Sequence, residues 1–249
     1  MKKISSFLFL ATFILFTNFL KAQNFTLGVR GGLSIPNLKA SGSETNPLNT
    51  GYKSRMGPDA SLFSEYHISS LFSLQAMLEY SSQGGKKSGM QAFQNPQGLT
   101  PPYLYANFKS EAKLNYLLVP VLAKFGWNLS KHSPVRIYFD AGPFAGFLLS
   151  AHQVTSGSSM IYADPGGQQP ASPSAQSFNS NNDIKDQLNT FNFGISGNLG
   201  FAYHFDKSNI FIEGGGNYGF LNIQKGTANG KNHTGAGTVA LGYGYTFEK

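Results

Sequence analysis

Cysteine is absent from all 249 residues, which excludes both disulfides and a lipid-modified N-terminal cysteine. Charge is scarce as well: Asp, Glu, Lys and Arg make up only 12% of the chain. The formal +7 less the three charges of Lys2, Lys3 and Lys21 leaves a mildly basic +4. No lysine or arginine cluster is dense enough for a nucleic-acid footprint, so nucleic acid is not an expected partner. Beyond residue 22 no apolar run approaches the roughly 20 residues that a spanning helix needs, so any membrane insertion must be by strands. Catalytic signatures are missing too. The five histidines (His67, His132, His152, His204 and His233) show no metal-ligand spacing, and no serine sits in G-x-S-x-G. Gly214-x-Gly216-x-x-Gly219 matches a dinucleotide fingerprint in letters alone, because it lies within a strand instead of opening a helix. No catalytic residue, cofactor or metal is expected.

What the chain has is alternation. Phe191, Phe193, Ile195, Leu199, Phe201, Tyr203 and Phe205 fall on one face of a period-two pattern. Asn192, Gly194, Ser196, Asn198, Gly200, Ala202 and His204 fall on the other. A membrane barrel shows the apolar face to lipid and turns the small and polar face inward. A soluble lipocalin-like barrel would invert that arrangement. Eight strands are expected, approximately Phe25–Leu33, Asp59–His67, Phe72–Ser82, Lys113–Trp127, Val135–Ala151, Thr190–Phe205, Asn209–Ile223 and Thr234–Phe247. Each meets or approaches the ~9–11 residues of a tilted transmembrane strand. Short connections near Ile68–Leu71, Asn128–Pro134 and Asp206–Ser208 alternate with long ones at Ser34–Pro58, Gln83–Ala112, His152–Asn189 and Gln224–His233. Short periplasmic turns and long external loops are the pattern of outer-membrane barrels. The expected fold is therefore all-β: an eight-stranded antiparallel transmembrane β-barrel. Pro120 and Pro143 fall inside strands, where bulges are expected.

The N-terminus reads as an export signal: Lys2–Lys3, an apolar stretch from Ile4 to Leu20, then Lys21-Ala22-Gln23. We place cleavage after Ala22, giving a signal over 1–22 and one barrel domain over 23–249. Leu20 at the minus-three position is not the usual small residue, so a neighbouring cut stays open, as does an uncleaved helical anchor.

Four segments, in this order and spacing, resemble the PorT-type outer-membrane β-barrel family of Bacteroidetes. They are Gly28-Val-Arg30-Gly-Gly-Leu33, Tyr116-Leu-Leu-Val-Pro120-Val-Leu, Asp140-Ala-Gly-Pro143-Phe-Ala-Gly146-Phe-Leu-Leu-Ser150 and Phe211-Ile-Glu-Gly-Gly-Gly-Asn-Tyr-Gly219. The resemblance covers essentially the whole mature chain. It departs where the family often has a glutamate, here Leu118, and an arginine, here Gly215. Some relatives are linked to secretion across the outer membrane, so the resemblance implies a partner in secretion or surface assembly.

The same alternation supplies candidate functional residues. Arg30, Asp59, Glu65, Glu79, Lys124, Arg136, Asp140, His204 and Glu213 are expected to face inward as a charge network. An eight-stranded interior is just wide enough for side chains to fill, and buried charges need partners. Phe25, Tyr66, Phe72, Trp127, Tyr203, Phe205, Tyr245 and Phe247 gather beside the short turns and are expected to form a periplasmic aromatic girdle. Lys39, Lys53, Arg55, Lys86, Lys87 and Lys109 lie on or beside the first two long loops. Contact with outer-membrane lipid, including lipopolysaccharide phosphates, is one reading of them; an ordinary solvated loop is the other. Ser150 and His152 at one rim are the only hint of a barrel hydrolase or acyltransferase. A non-enzymatic protein working through its loops is the leading expectation.

Overall fold

The computed structural model describes residues 25–41, 47–48, 50–96, 98, 100–226 and 231–247. The expected signal over 1–22, its cleavage after Ala22, and the terminal Glu248–Lys249 lie outside them. Eight long strands dominate: β1 (Phe25–Pro36), β2 (Gly57–His67), β3 (Phe72–Gln94), β4 (Tyr103–Asn128), β5 (Val135–Ser156), β6 (Phe191–Phe205), β7 (Ser208–Gly219) and β8 (Gly235–Phe247). Each pairs antiparallel with its neighbour in sequence, and β1 closes on β8 from Phe25↔Phe247 to Pro36↔Ala236. The sheet is thus a ring without free long edges over its lower half, which satisfies the backbone as a bilayer requires. Among the described residues no helix is long and apolar enough to cross a membrane.

The pleat decides what faces where. Outward residues in the lower barrel are large and apolar, with Leu62, Leu199 and Leu241 left 62%, 56% and 65% exposed. Their chain neighbours Ser61, Asn198 and Ala240 are buried. Water does not favour so greasy an exterior, whereas lipid does.

Besides β7 ending at Gly219, which leaves Ile223 in the last long connection, two features differ from the sequence expectation. The segment Gln83–Ala112 is mostly not a loop: β3 and β4 stay paired from Gln83↔Leu114 to Gln94↔Tyr103. With β5, which runs to Ser156, they form a three-stranded sheet standing above the ring. The alternation continues there with its sense reversed. Ala106, Phe108, Ala112 and Leu114 are buried, while Asn107 and Lys109 between them are exposed. Above the bilayer the outer face meets water, so polar-out is the stable choice. The second difference concerns the prolines. Register runs unshifted past Pro120 and Pro143, with only the local rungs missing from the ladder. The one shift between β4 and β5 lies between Asn115 and Tyr116, where Leu149 is the extra residue.

Loops lie across the outer mouth. Leu38, Leu188 and Ile223 are buried against Leu114, Tyr116, Leu118, Phe144, Leu148 and Ala151 of the wall. Backbone bonds tie the loops together: Asn189 N donates to Ile223 O (2.8 Å), Lys225 N to Gln187 O (3.0 Å) and Ile223 N to Asn232 O (2.9 Å). Short strands Lys39–Ser41 and Lys231–His233 pair above them, and Ser180–Asp183 adds to the top of β5.

Candidate functional site: a filled lumen beneath a raised outer sheet

Arg30 sits mid-strand on β1, where alternation turns it inward, and it is 5% exposed. Its Nη1 donates to Glu213 Oε1 at 2.5 Å, and its Nη2 to Asp59 Oδ1 at 3.0 Å and Glu79 Oε2 at 2.8 Å. Strands β1, β2, β3 and β7 thus meet through one guanidinium. Tyr138 Oη donates to the remaining Glu213 oxygen at 2.7 Å. Nearer the short turns, Lys124 Nζ bonds Glu65 Oε2 (2.8 Å) and Gln75 Oε1 (3.2 Å), lying 4.1 Å from the centre of the Tyr138 ring. Glu65 also accepts from Ser73 Oγ at 2.6 Å. His67 Nδ1 stands 3.6 Å from the same carboxylate.

The remaining predicted lumen residues distribute unevenly. Asp140 is buried and accepts from Asn198 Nδ2 at 2.8 Å. Arg136 and His204 do not join either cluster. Arg136 donates to Ser70 O (2.8 Å) and Asn128 Oδ1 (3.4 Å) in the turn region, and His204 is exposed. Both sit at strand ends beside short turns, where water reaches the side chains and no buried partner is needed. The expected girdle residues occupy the outer face at that same end. Phe25 lies opposite Phe247 and Tyr66, and Phe72 meets Phe125 at 4.9 Å. Trp127 meets Phe139 at 5.8 Å, Tyr203 meets Phe205 at 6.4 Å, and Tyr245 meets Phe247 at 5.0 Å.

Sequence reasoning missed how the bulky lumen residues are seated. Phe63 stands opposite Gly28, Tyr138 opposite Gly200, Phe144 opposite Gly194 and Phe211 opposite Gly242. A Cβ at each glycine would lie 2.1–2.6 Å from the facing ring. Every one of these aromatics therefore lies over a cross-strand glycine, a pairing that needs the register as well as the alternation.

On the outer wall a polar row crosses β3, β4 and β5. Arg55 Nη1 donates to Ser82 Oγ (3.1 Å), Ser82 Oγ to Asn115 Oδ1 (3.2 Å), and Asn115 Nδ2 to Ser150 Oγ (3.0 Å). Below it the outward residues are Leu78, Tyr80, Leu117 and Leu149, and above it Lys86, Lys109 and Lys113. The row marks the upper limit of the lipid-facing band. His152 lies two residues beyond Ser150, and no hydrogen bond joins the two among the described residues; Ser150 is engaged by Asn115. On the inner side of the raised sheet, Lys87 Nζ donates to Leu48 O at 2.6 Å and stands 4.4 Å from the centre of the Tyr52 ring. Burial pushes the Lys87 ammonium down to about 8 and raises the Tyr52 hydroxyl from its ordinary value. No cluster of His, Asp and Glu capable of holding a metal occurs among the described residues.

Among solved structures the chain is similar to three bacterial proteins over most of its length. Neisserial surface protein A is 13% identical with a TM-score of 0.39, over 90% of this chain and 97% of that one. The attachment invasion locus protein Ail of Yersinia pestis is 13% identical with a TM-score of 0.38, over 90% and 99%. OprG of Pseudomonas aeruginosa is 12% identical with a TM-score of 0.38, over 91% and 98%. A search of curated proteins finds no match. The family described as "Outer membrane protein beta-barrel domain" matches residues 21–225, most of the chain. The closed eight-stranded ring with its greasy exterior and the family match agree: the chain belongs to the outer membrane protein beta-barrel domain family and resides in the outer membrane.

Proposed function

We propose that this protein is a non-enzymatic envelope barrel that works by presentation, as an accessory to protein secretion or surface assembly. Residues 1–22 act as its cleaved export signal, and 23–249 form the mature barrel. The observation that carries this reading is the raised β3–β4–β5 sheet. It extends roughly 35–40 Å along the strand beyond Ser82, at ~3.3 Å per residue, and stands beside a mouth covered by loops. A lumen occupied by Arg30, its three carboxylates and four aromatic rings leaves the outer surface as the working face. The likeness to PorT-type barrels, some of them linked to secretion, supports the choice of process.

Cross-linking in intact cells, followed by detergent purification and mass spectrometry, tests it. A stoichiometric secretion or surface-assembly protein, lost when residues 90–107 are replaced by a two-residue turn, is the expected result. Recovery of the barrel with lipid alone would sink the proposal.

A further inference from the structure

Lys53 and Lys86 exchange both backbone hydrogen bonds (2.8 and 2.9 Å) as an antiparallel bridge. Residues so paired share a face with their side chains adjacent, and like charges directly opposite are unfavourable. Both lysines are exposed, and among the described residues no carboxylate lies within ion-pair distance of either. The facing residue on β4, Glu111, is already engaged by Arg55 Nε at 2.8 Å and Lys113 Nζ at 3.7 Å. Lys109, two residues further up the same outward face, is exposed and has no ion-pair partner among the described residues. Among the described residues four lysines thus share this outer wall with a single glutamate, whose carboxylate is already held by the buried Arg55.

Position makes this patch informative. It does not crown the molecule; it faces sideways, starting just above the polar row Ser82–Asn115–Ser150 where the apolar band ends. Lys113 is about 7 Å and Lys86 about 13 Å beyond that row along the strand, at ~3.3 Å per residue. Strand tilt brings both lower still. That is the level at which the lipid-facing band gives way to the headgroup layer of the outer leaflet, below the upper part of the sheet that meets water.

We infer that the outward face formed by Lys53, Lys86 and Lys113, with Lys109 above them, seats the phosphates of a bisphosphorylated outer-leaflet glycolipid, the lipid A class of headgroup. Opposed ammonium groups held about 5.5 Å apart at their Cα atoms suit a multivalent anion better than a monovalent one. Cation clusters of this kind attract phosphate by charge and by direct hydrogen bonds. The site does not depend on the secretion reading, since an isolated barrel would hold the lipid equally well.

Native mass spectrometry of the detergent-purified barrel, titrated with bisphosphorylated lipid A, tests the inference. The variant K53Q/K86Q/K113Q is compared with K131Q/K207Q, which alters two lysines beside the short turns. The fast-migrating band on unboiled SDS gels checks that each variant is folded. Each removed outer lysine should weaken lipid A binding about fivefold. The turn variant should bind as wild type, and dephosphorylated lipid A should bind as weakly as the triple variant shows. Equal binding by wild type and the outer-lysine variant would overturn the inference. So would equal binding of dephosphorylated lipid, or complete displacement of lipid A by equimolar inorganic pyrophosphate, which would point to a free-anion site.

Discussion

Gly200 and Tyr138 show how single residues shape this barrel's interior. The ring of Tyr138 lies where a Cβ at position 200 would be, 2.3 Å from its Cζ. Tyr138 Oη reaches Glu213 from that seat. Gly200→Ala is therefore expected to cost about 1–3 kcal/mol by overpacking, measured by urea unfolding in lipid vesicles. A wild-type midpoint would contradict the seating. Arg30 is a sharper case, because three strands supply carboxylates to it. Arg30→Gln removes the shared cation and leaves Asp59, Glu79 and Glu213 together, at an expected cost of about 3–5 kcal/mol. The same assay should show Arg136→Gln near neutral, since Arg136 bonds only to turn groups. Parity alone made Arg30, Glu79 and Glu213 legible as inward in the sequence. Their mutual contact was not, because it depends on which rungs of four strands lie level. Parity likewise could not separate Arg136 and His204 from the buried set, since exposure at a strand end depends on where the barrel stops.

Among the elements, β3, β4 and β5 were the least legible. Their lower halves carry the apolar-out pattern that identifies a lipid wall, and the expected boundaries at Ser82 and Lys113 mark where it ends. The strands themselves continue, as the inverted alternation of Ala106, Phe108, Ala112 and Leu114 records. Reading lipid-facing periodicity alone thus finds the bilayer's limit and not the element's. Because the extension lies outside the ring, replacing residues 90–107 by an Asn-Gly turn should leave the barrel folded. The unboiled protein should keep its fast mobility on SDS gels; its loss would show that the raised sheet is needed for closure. The inner side of this sheet also has a pH signature. Burial pushes the Lys87 ammonium down to about 8 in the folded protein, from 10.5 for the ordinary side chain. Its ammonium therefore opposes its own burial against Leu48 and Tyr52 below about pH 8, and that penalty falls away as the pH rises towards 10.5. Dimethyl-lysine NMR should report one resonance with a midpoint near 8, absent from Lys87→Gln. A midpoint near 10.5 would contradict the burial.

At the scale of the molecule, three short turns and both ends of the ring share one face, and the long connections share the other. The even strand number follows from that alternation, which the sequence already displayed in its spacing of polar segments. Closure of β1 on β8 was legible only as a consequence of the count. The loops that cover the mouth were not: Leu38, Leu188 and Ile223 come from three separate connections and reveal no periodicity. Orientation carries the most weight for function, because presentation requires the raised sheet to be outside the cell. The natural lack of cysteine makes a direct measurement available. Ser172→Cys, in the third long connection, and Ser133→Cys, in a short turn, are each expressed in intact cells and exposed to a membrane-impermeant maleimide. Labelling is expected at 172 in intact cells, and at 133 only after the outer membrane is permeabilised. Labelling at 133 but not at 172 in intact cells would invert the molecule and contradict presentation at the surface.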